Sequence, residues 1–320
     1  MTNKGEYVFF DYKPQQANMA SEVLKGLGSE PKFISPKYFY DQRGSELFER
    51  ITELDEYYVT RTEMALFDDH LPDIARSLGR ELCLIEYGSG SSMKIRKLLE
   101  TISPKAYVPV DISGDHLQEN ARALHRDFPQ LNVYPVCADI TQHFALPPVT
   151  VGLSKVGFFP GSSIGNFEPR LAQKFLSTVR ETTGVGGALI IGVDRKKPVE
   201  VLEDAYNDAE GVTAAFNLNV LRHINQALGA DFDVRGFTHV ARYNEDEGCI
   251  QMFLQSKRDQ TVHVAGETIR IANGEILHTE NSYKYDPDEF LNLASNAGFS
   301  QTAVWSDARD WFSLYLLQGC

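Results

Sequence analysis

The sequence predicts a doubly wound α/β domain interrupted by a second, α+β domain. Two observations predict it. From residue 83 to residue 194 short apolar runs alternate with helix-like segments, as βαβ units around a parallel sheet do. Beyond Asp194 the alternation stops, and it resumes only near residue 286. Taken in order, residues 15–29 carry Met19, Val23, Leu24 and Leu27 at helical spacing and stop at Gly28. Residues 44–53 form a short helix and 61–79 a longer one, opened by a Thr60-Arg-Thr-Glu63 capping box and ended by Gly79. Parallel strands follow at 83–88, 106–112, 133–140, 155–161 and 187–194, with helices 92–102, 113–127 and 169–183 between them. Such strands are buried on both faces, hence their near-continuous apolar runs. Residues 198–228 are helical with a break near Gly211. Antiparallel strands then run over Thr238–Asn244, Ile250–Lys257, Thr261–Val264 and Thr268–Ala272. The core resumes with a helix Asp286–Ala297, a Gly298 stop and strands Ala303–Ser306 and Trp311–Leu317. The expected division is 62–195 plus 285–320 for the core and 1–61 plus 196–284 for the second domain.

Composition narrows the class. The chain has 320 residues, 42% hydrophobic and 23% charged, which suits a globular protein with ample core. Its net charge is −13, with 31 basic against 44 acidic residues, so no basic track for phosphates is visible and no nucleic-acid partner is expected. No run of 18 apolar residues exists and the first residues lack a signal-peptide core, so no membrane partner is expected. Cys83, Cys137, Cys249 and Cys320 are far apart and read as reduced thiols in a cytoplasmic protein. The eight histidines have no metal-ligand spacing, so no metal is expected, and the chain is taken as a monomer.

Three strand ends carry the ligand signal. Leu84-Ile-Glu-Tyr-Gly88-Ser-Gly90-Ser-Ser is an apolar strand, a tight glycine turn and a helix start. Met93 occupies the third glycine position of a dinucleotide fingerprint, which argues against a NAD(P)-dependent oxidoreductase. Asp111 ends the next strand, 21 residues past Gly90, where a carboxylate can accept from both ribose hydroxyls. Asp139 ends the third, followed by Ile140, a pair that can accept from an adenine amine and cover the ring. In order, these describe the S-adenosylmethionine site of a Rossmann-like class I methyltransferase sheet. Each alone is common, since an Asp at a strand end is usually a cap or turn residue.

Methyl transfer from a sulfonium is a direct displacement, which needs an aligned, unprotonated nucleophile and neither metal nor covalent intermediate. The loop Gly157-Phe-Phe-Pro-Gly161-Ser-Ser-Ile-Gly-Asn166 follows the fourth strand; its small residues let a ligand reach backbone groups, and Asn166 can donate and accept. An Asn there can equally be the N-cap of the helix beyond Glu168-Pro169. Among aromatics, Tyr57 precedes a helix and can face a sulfonium, while Tyr40 and Tyr206 offer hydroxyls. The inserted segment leaves from a strand's carboxyl end, beside the ligand crevice of such folds, and so reads as a substrate-recognition domain; a packing or dimerisation role is the plainer alternative. Thr279-Glu-Asn-Ser282 puts a carboxylate and a hydroxyl at i and i+2, on one face if extended. Glu280 can also be a solvated charge at a domain junction.

These segments resemble the histidine-specific, S-adenosylmethionine-dependent methyltransferases that make hercynine, the histidine betaine of ergothioneine biosynthesis. The matching segments are Pro36–Phe48, Glu56–Glu63, Tyr87–Lys94, Pro160–Asn166 and Asp204–Asn217, the last being the most specific. Two positions depart from the familiar pattern: Ile140 for an aromatic, and Ser163 for threonine. The resemblance implies that the N-terminal segment and the insertion together form the substrate domain. It implies cofactor contacts from Tyr57, Gly88, Lys94, Asp111, Asp139 and Ile140. It implies that Tyr40, Gly161, Asn166 and Tyr206 surround the amino-acid head group, with Tyr40, Asn166 and Tyr206 catalytic. Met252, Glu280 and Ser282 would meet the imidazole. The expected reaction is three methyl transfers to the α-amine of L-histidine. The rivals are the same fold acting on tryptophan, the oxidoreductase, and a cofactor-binding regulator without catalysis.

Overall fold

The computed structural model describes residues 5–12, 19–89 and 93–320. The chain divides into two compact units, Met1–Gln15, Arg61–Arg195 and Tyr285–Cys320 in the first, Gln16–Thr60 and Lys196–Lys284 in the second.

The first unit is built on a nine-stranded sheet. Its spatial order is Phe10–Asp11, Val136–Cys137, Ala106–Asp111, Leu82–Tyr87, Ser154–Phe159, Ala188–Asp194, Phe312–Gly319 and Phe299–Ser306, with Asn132–Val133 paired beside Ala106–Asp111. All pairings are parallel up to Ala188–Asp194; Phe312–Gly319 is antiparallel to both its neighbours. Strand order therefore reverses between Leu82–Tyr87 and Ser154–Phe159, and ligands of open α/β sheets bind at the carboxyl side of such a switch. Every residue of Leu82–Tyr87 is buried, as expected of a strand covered on both faces.

The N-terminal boundary corrects the sequence expectation. The sequence assigns residues 1–61 to the second domain, but Phe10–Asp11 extends the first unit's sheet in parallel register with Val136–Cys137. A two-residue strand is too short to show a periodicity. The expected strand 133–140 is broken into Asn132–Val133 and Val136–Cys137, with Pro135, which lacks an N–H, between them. The long helix begins at Tyr58 and runs to Leu78, so Thr60-Arg-Thr-Glu63 lies inside its first turns and is not a capping box. The last hairpin starts earlier than expected, at Phe299, because the polar Ser300–Thr302 stretch lies on an exposed edge strand with a bulge between Gln301 and Ala303.

The second unit holds a four-stranded sheet in the order Lys32–Phe33, Ile276–Tyr283, Cys249–Ser256, Phe237–Asn244, and a separate hairpin Gln260–Val264 with Glu267–Ile271. Helix Val212–Leu228 buries Val212, Phe216, Val220 and Ile224 along one stripe and packs on helix Gln42–Glu53 and on this sheet. The helical stretch 198–228 is interrupted before Gly211 as expected, into helices Val199–Asp204 and Val212–Leu228. The second starts where Asp208 accepts from the amides of Val212 (2.7 Å) and Thr213 (2.8 Å), with Gly211 at φ 72° making the turn. Helix Met19–Leu27 matches the described part of the first expected helix; positions 15–18 lie outside the described residues. Among the described residues no helix is long and apolar enough to cross a membrane.

Candidate functional site

In the first unit the cofactor candidates line the carboxyl edge of the sheet. Register places Tyr87 beside Val110 and Asp111 beside Cys137, so Gly88, Asp111 and the turn at Asp139 follow one another across neighbouring strands. Gly88 is at φ 71°, which favours glycine, and its amide and that of Ser89 both donate to Val110 O at 2.9 and 3.1 Å. Gly90, Ser91 and Ser92, the rest of the glycine turn, lie outside the described residues. Asp111 accepts from Ser113 N at 2.8 Å, which leaves lone pairs for two further donors. Burial raises its carboxyl pKa, and the Ser113 amide opposes that. Asp139 Oδ1 accepts from Thr141 N (2.9 Å) and Oγ1 (2.7 Å), while Oδ2 has no partner among the described residues. Under the turn, Glu86 is buried and accepts from Ser89 Oγ (2.8 Å) and Tyr107 Oη; burial pushes it up to about 7 despite these bonds.

Glu63 ties this edge to the loop after the fourth strand. It is 0% exposed, takes the Lys94 ammonium, and accepts from Gly161 N at 2.9 Å. A Cβ at Gly192 would collide with Glu63 Oε1, so that glycine makes room for the carboxylate. Gly161 at φ 77° and Ser162 at φ 56° turn the chain, and Ser162 Oγ accepts from Asp194 N at 2.9 Å. The short helix Ser163–Asn166 follows. Asn166 is exposed and its amide has no partner among the described residues. It is not a helix N-cap: the next helix starts at Pro169 with Glu168 in that position.

The second unit assembles the amino-acid candidates on one sheet face. Met252 pairs with Glu280 and Ile250 with Ser282 in antiparallel register, so the four side chains share a face. Tyr206, in the break between the two helices, donates to Ser282 Oγ at 2.8 Å. The break is held by His239, whose Nε2 meets Tyr206 O (2.9 Å) and whose Nδ1 meets Asn217 Nδ2 (2.8 Å). Asn217 cannot accept through that nitrogen, so it donates and His239 donates to Tyr206 O, which fixes a neutral imidazole. Asn217 also donates to Phe253 O at 3.1 Å. These contacts account for the long specific segment ending at Asn217. The Tyr57 ring is edge-on to Tyr206 with centroids 6.4 Å apart. Tyr40 is 47% exposed and packs edge-on to Phe48 and Phe216.

Glu280 is not a solvated charge. It is 7% exposed, and its carboxylate has no hydrogen-bond partner among the described residues. Burial pushes it up to about 7, and the Lys284 cation opposes that. A buried carboxylate without a hydrogen bond is costly unless a ligand supplies one.

The structure thus brings Gly88, Lys94, Asp111, Asp139, Ile140, Gly161 and Asn166 into the first unit, and Tyr40, Tyr57, Tyr206, Met252, Glu280 and Ser282 into the second. Sequence reasoning missed two charged residues. Glu63 carries the local signature of a helix cap, which hides its role. Lys284, 2% exposed, donates to Ser282 Oγ (2.9 Å) and Tyr206 Oη (3.2 Å). The available signal was the spacing of Glu280, Ser282 and Lys284, every second residue along one extended segment.

Comparison with known proteins agrees with this chemistry. A family model described as histidine-specific methyltransferase, SAM-dependent, matches residues 19–319. The chain is similar to histidine N-alpha-methyltransferase of Mycolicibacterium smegmatis, 39% identical over 311 residues, 94% of this chain and 96% of that protein. It is similar to the protein of the same name from Mycobacterium tuberculosis, 38% identical over 301 residues, 92% of this chain and 93% of that one. It also matches ergothioneine biosynthesis protein 1 of Neurospora crassa, 32% identical over 296 residues, 90% of this chain but 33% of that protein.

Proposed function

We infer that this chain, which belongs to the histidine-specific, S-adenosylmethionine-dependent methyltransferase family, transfers methyl groups to the α-amine of L-histidine, three times, giving hercynine and S-adenosylhomocysteine. The observation that carries the substrate is the buried Glu280 carboxylate, without a hydrogen bond among the described residues, on one face with Ser282 and Met252. A carboxylate and a hydroxyl two residues apart suit imidazole, which has two polar nitrogens, better than indole, which has one.

The residues of the cofactor edge fit S-adenosylmethionine. The Asp111 carboxylate has capacity for two ribose hydroxyls, Asp139 Oδ2 for an adenine amine, and half-buried Ile140 for the ring face. The bound cofactor supplies an electrophilic methyl on sulfur. We assign the exposed Asn166 amide and the Gly161 region to the substrate's carboxylate and amine, with Tyr206 bordering the head group. Lys94, held by Glu63, and Tyr57 are assigned to the cofactor. The amine must give up one proton before each of the three transfers, first as the α-ammonium and then as the mono- and dimethylammonium that the first two transfers leave, and we assign the exit of these protons to Tyr40 through water. No protein nucleophile is needed. The three buried cysteines and Cys320 are all thiols, which supports a cytoplasmic protein, and we take it to act as a monomer on a small molecule rather than on nucleic acid or membrane.

Incubation with L-histidine and S-adenosylmethionine, read by mass spectrometry, tests the assignment. Three successive methyl increments ending in the betaine are expected. Unchanged histidine beside methylated tryptophan would move the substrate to the other amino acid.

A further inference from the structure

The amino-acid cluster contains a buried cation that the assignments above leave unused. Lys284 follows the strand Ile276–Tyr283 and directs its ammonium at two hydroxyls, Ser282 Oγ at 2.9 Å and Tyr206 Oη at 3.2 Å, while lying 5.1 Å from the Tyr206 ring centroid. An ammonium has donors and no acceptor, so both hydroxyls accept from it. Tyr206 Oη then donates to Ser282 Oγ at 2.8 Å. A serine hydroxyl has two lone pairs, and both are now filled. Its own hydrogen has no acceptor among the described residues. Ser282 can therefore act on a ligand only as a donor. Glu280, two residues earlier on the same face, carries the opposite polarity when ionised, and the Lys284 charge favours that form.

We propose that Lys284 is a positioning residue that sets the hydrogen-bond polarity of the pocket, so that it takes the neutral imidazole of histidine, with its N–H on Glu280 and its bare nitrogen on Ser282. Without Lys284 a lone pair on Ser282 is released, and an imidazolium, with two N–H groups, fits the same two residues. Lys284 thus excludes the charged ring that a buried carboxylate would otherwise attract. This rests on the histidine reading.

The test uses the full chain with S-adenosylhomocysteine and ring-15N-labelled histidine at pH 7. Nitrogen NMR of the wild-type complex is expected to show one protonated and one bare ring nitrogen. Two protonated nitrogens overturn the proposal, and this readout needs no variant to fold. In Lys284→Met the bound ring is expected to shift toward two protonated nitrogens. KM for histidine should rise about tenfold, the loss of one hydrogen bond of about 1.4 kcal/mol, with S-adenosylhomocysteine affinity unchanged. Adding Lys284→Met to Ser282→Ala should change KM by less than about twofold, because the residue acts through that hydroxyl. Independent, multiplying effects, or an unchanged KM in Lys284→Met, overturn it. A wild-type enzyme that methylates no histidine defeats the functional reading instead, whereas an active wild type with an insensitive Lys284 defeats only this one.

Discussion

Replacing Glu280 by glutamine should make the protein more stable and a worse enzyme, and the size of the first effect follows from burial. The carboxyl is raised from an ordinary 4.5 to about 7. Its folded pKa lies above its unfolded one, so its favourable contribution is present below about pH 4.5 and is lost as the pH rises to about 7. At about 1.4 kcal/mol per unit, the ionised group costs the fold about 3 kcal/mol at pH 8 and about 1 kcal/mol at pH 5. Glutamine keeps the shape and removes the charge. Urea unfolding should therefore show Glu280→Gln ahead of wild type by about 3 kcal/mol at pH 8, with the gap narrowing to about 1 kcal/mol at pH 5. Calorimetry at pH 8 with S-adenosylhomocysteine present should show histidine affinity reduced about tenfold or more, because a charged acceptor becomes a neutral one. A gap that does not change with pH would refute the reasoning, since burial of an ionised group could not then be its source. A variant less stable than wild type at pH 8 would mean that the Glu280–Lys284 attraction outweighs desolvation.

Asp111→Ala should weaken S-adenosylmethionine about tenfold or more in titration calorimetry, as two hydroxyls lose a charged acceptor; unchanged affinity in a folded variant removes Asp111 from the cofactor. Tyr206→Phe and Asn166→Ala should each impair histidine turnover far more than cofactor binding, and full turnover with unchanged KM would leave both to packing. Glu63→Gln should destabilise the protein by about 3 kcal/mol, since Lys94 would be left partly buried without its counter-charge; thermal melts showing no loss would make that ion pair dispensable.

Much of the parallel sheet was legible because its strands, such as Leu82–Tyr87, are buried on both faces and written in apolar residues. Gly88 and the acids at 111 and 139 fall at or just past strand ends as their spacing indicates, because an apolar run closed by a glycine or a carboxylate repeats in order. What escaped was written in polar residues. The strand Ile276–Tyr283 contains His278, Glu280, Asn281 and Ser282 and was foreseen only as a conditional extended segment, although Thr279, Glu280 and Ser282 are buried. Local patterning fails where a site places polar groups inside a fold. Glu63 escaped for a related reason. Thr-x-x-Glu is a local signature, whereas the partners that claim Glu63, Lys94 and Gly161, are 31 and 98 residues away in sequence.

The place of the strand Phe312–Gly319 bears on how the protein is made. It pairs with Ala188–Asp194 on one side and Phe299–Ser306 on the other, so the sheet is finished from the far end of the chain. The whole of Lys196–Lys284 is synthesised before that closure. Between Asp194 and Phe312 lie 117 residues, which take about 6 to 23 s at ordinary translation rates. For that interval the apolar strand Ala188–Asp194 presents an open row of backbone donors and acceptors on one side, an invitation to another nascent chain. The last strand closes that edge, and a ribosome stalled within the inserted segment would release a product prone to aggregate rather than a smaller working enzyme.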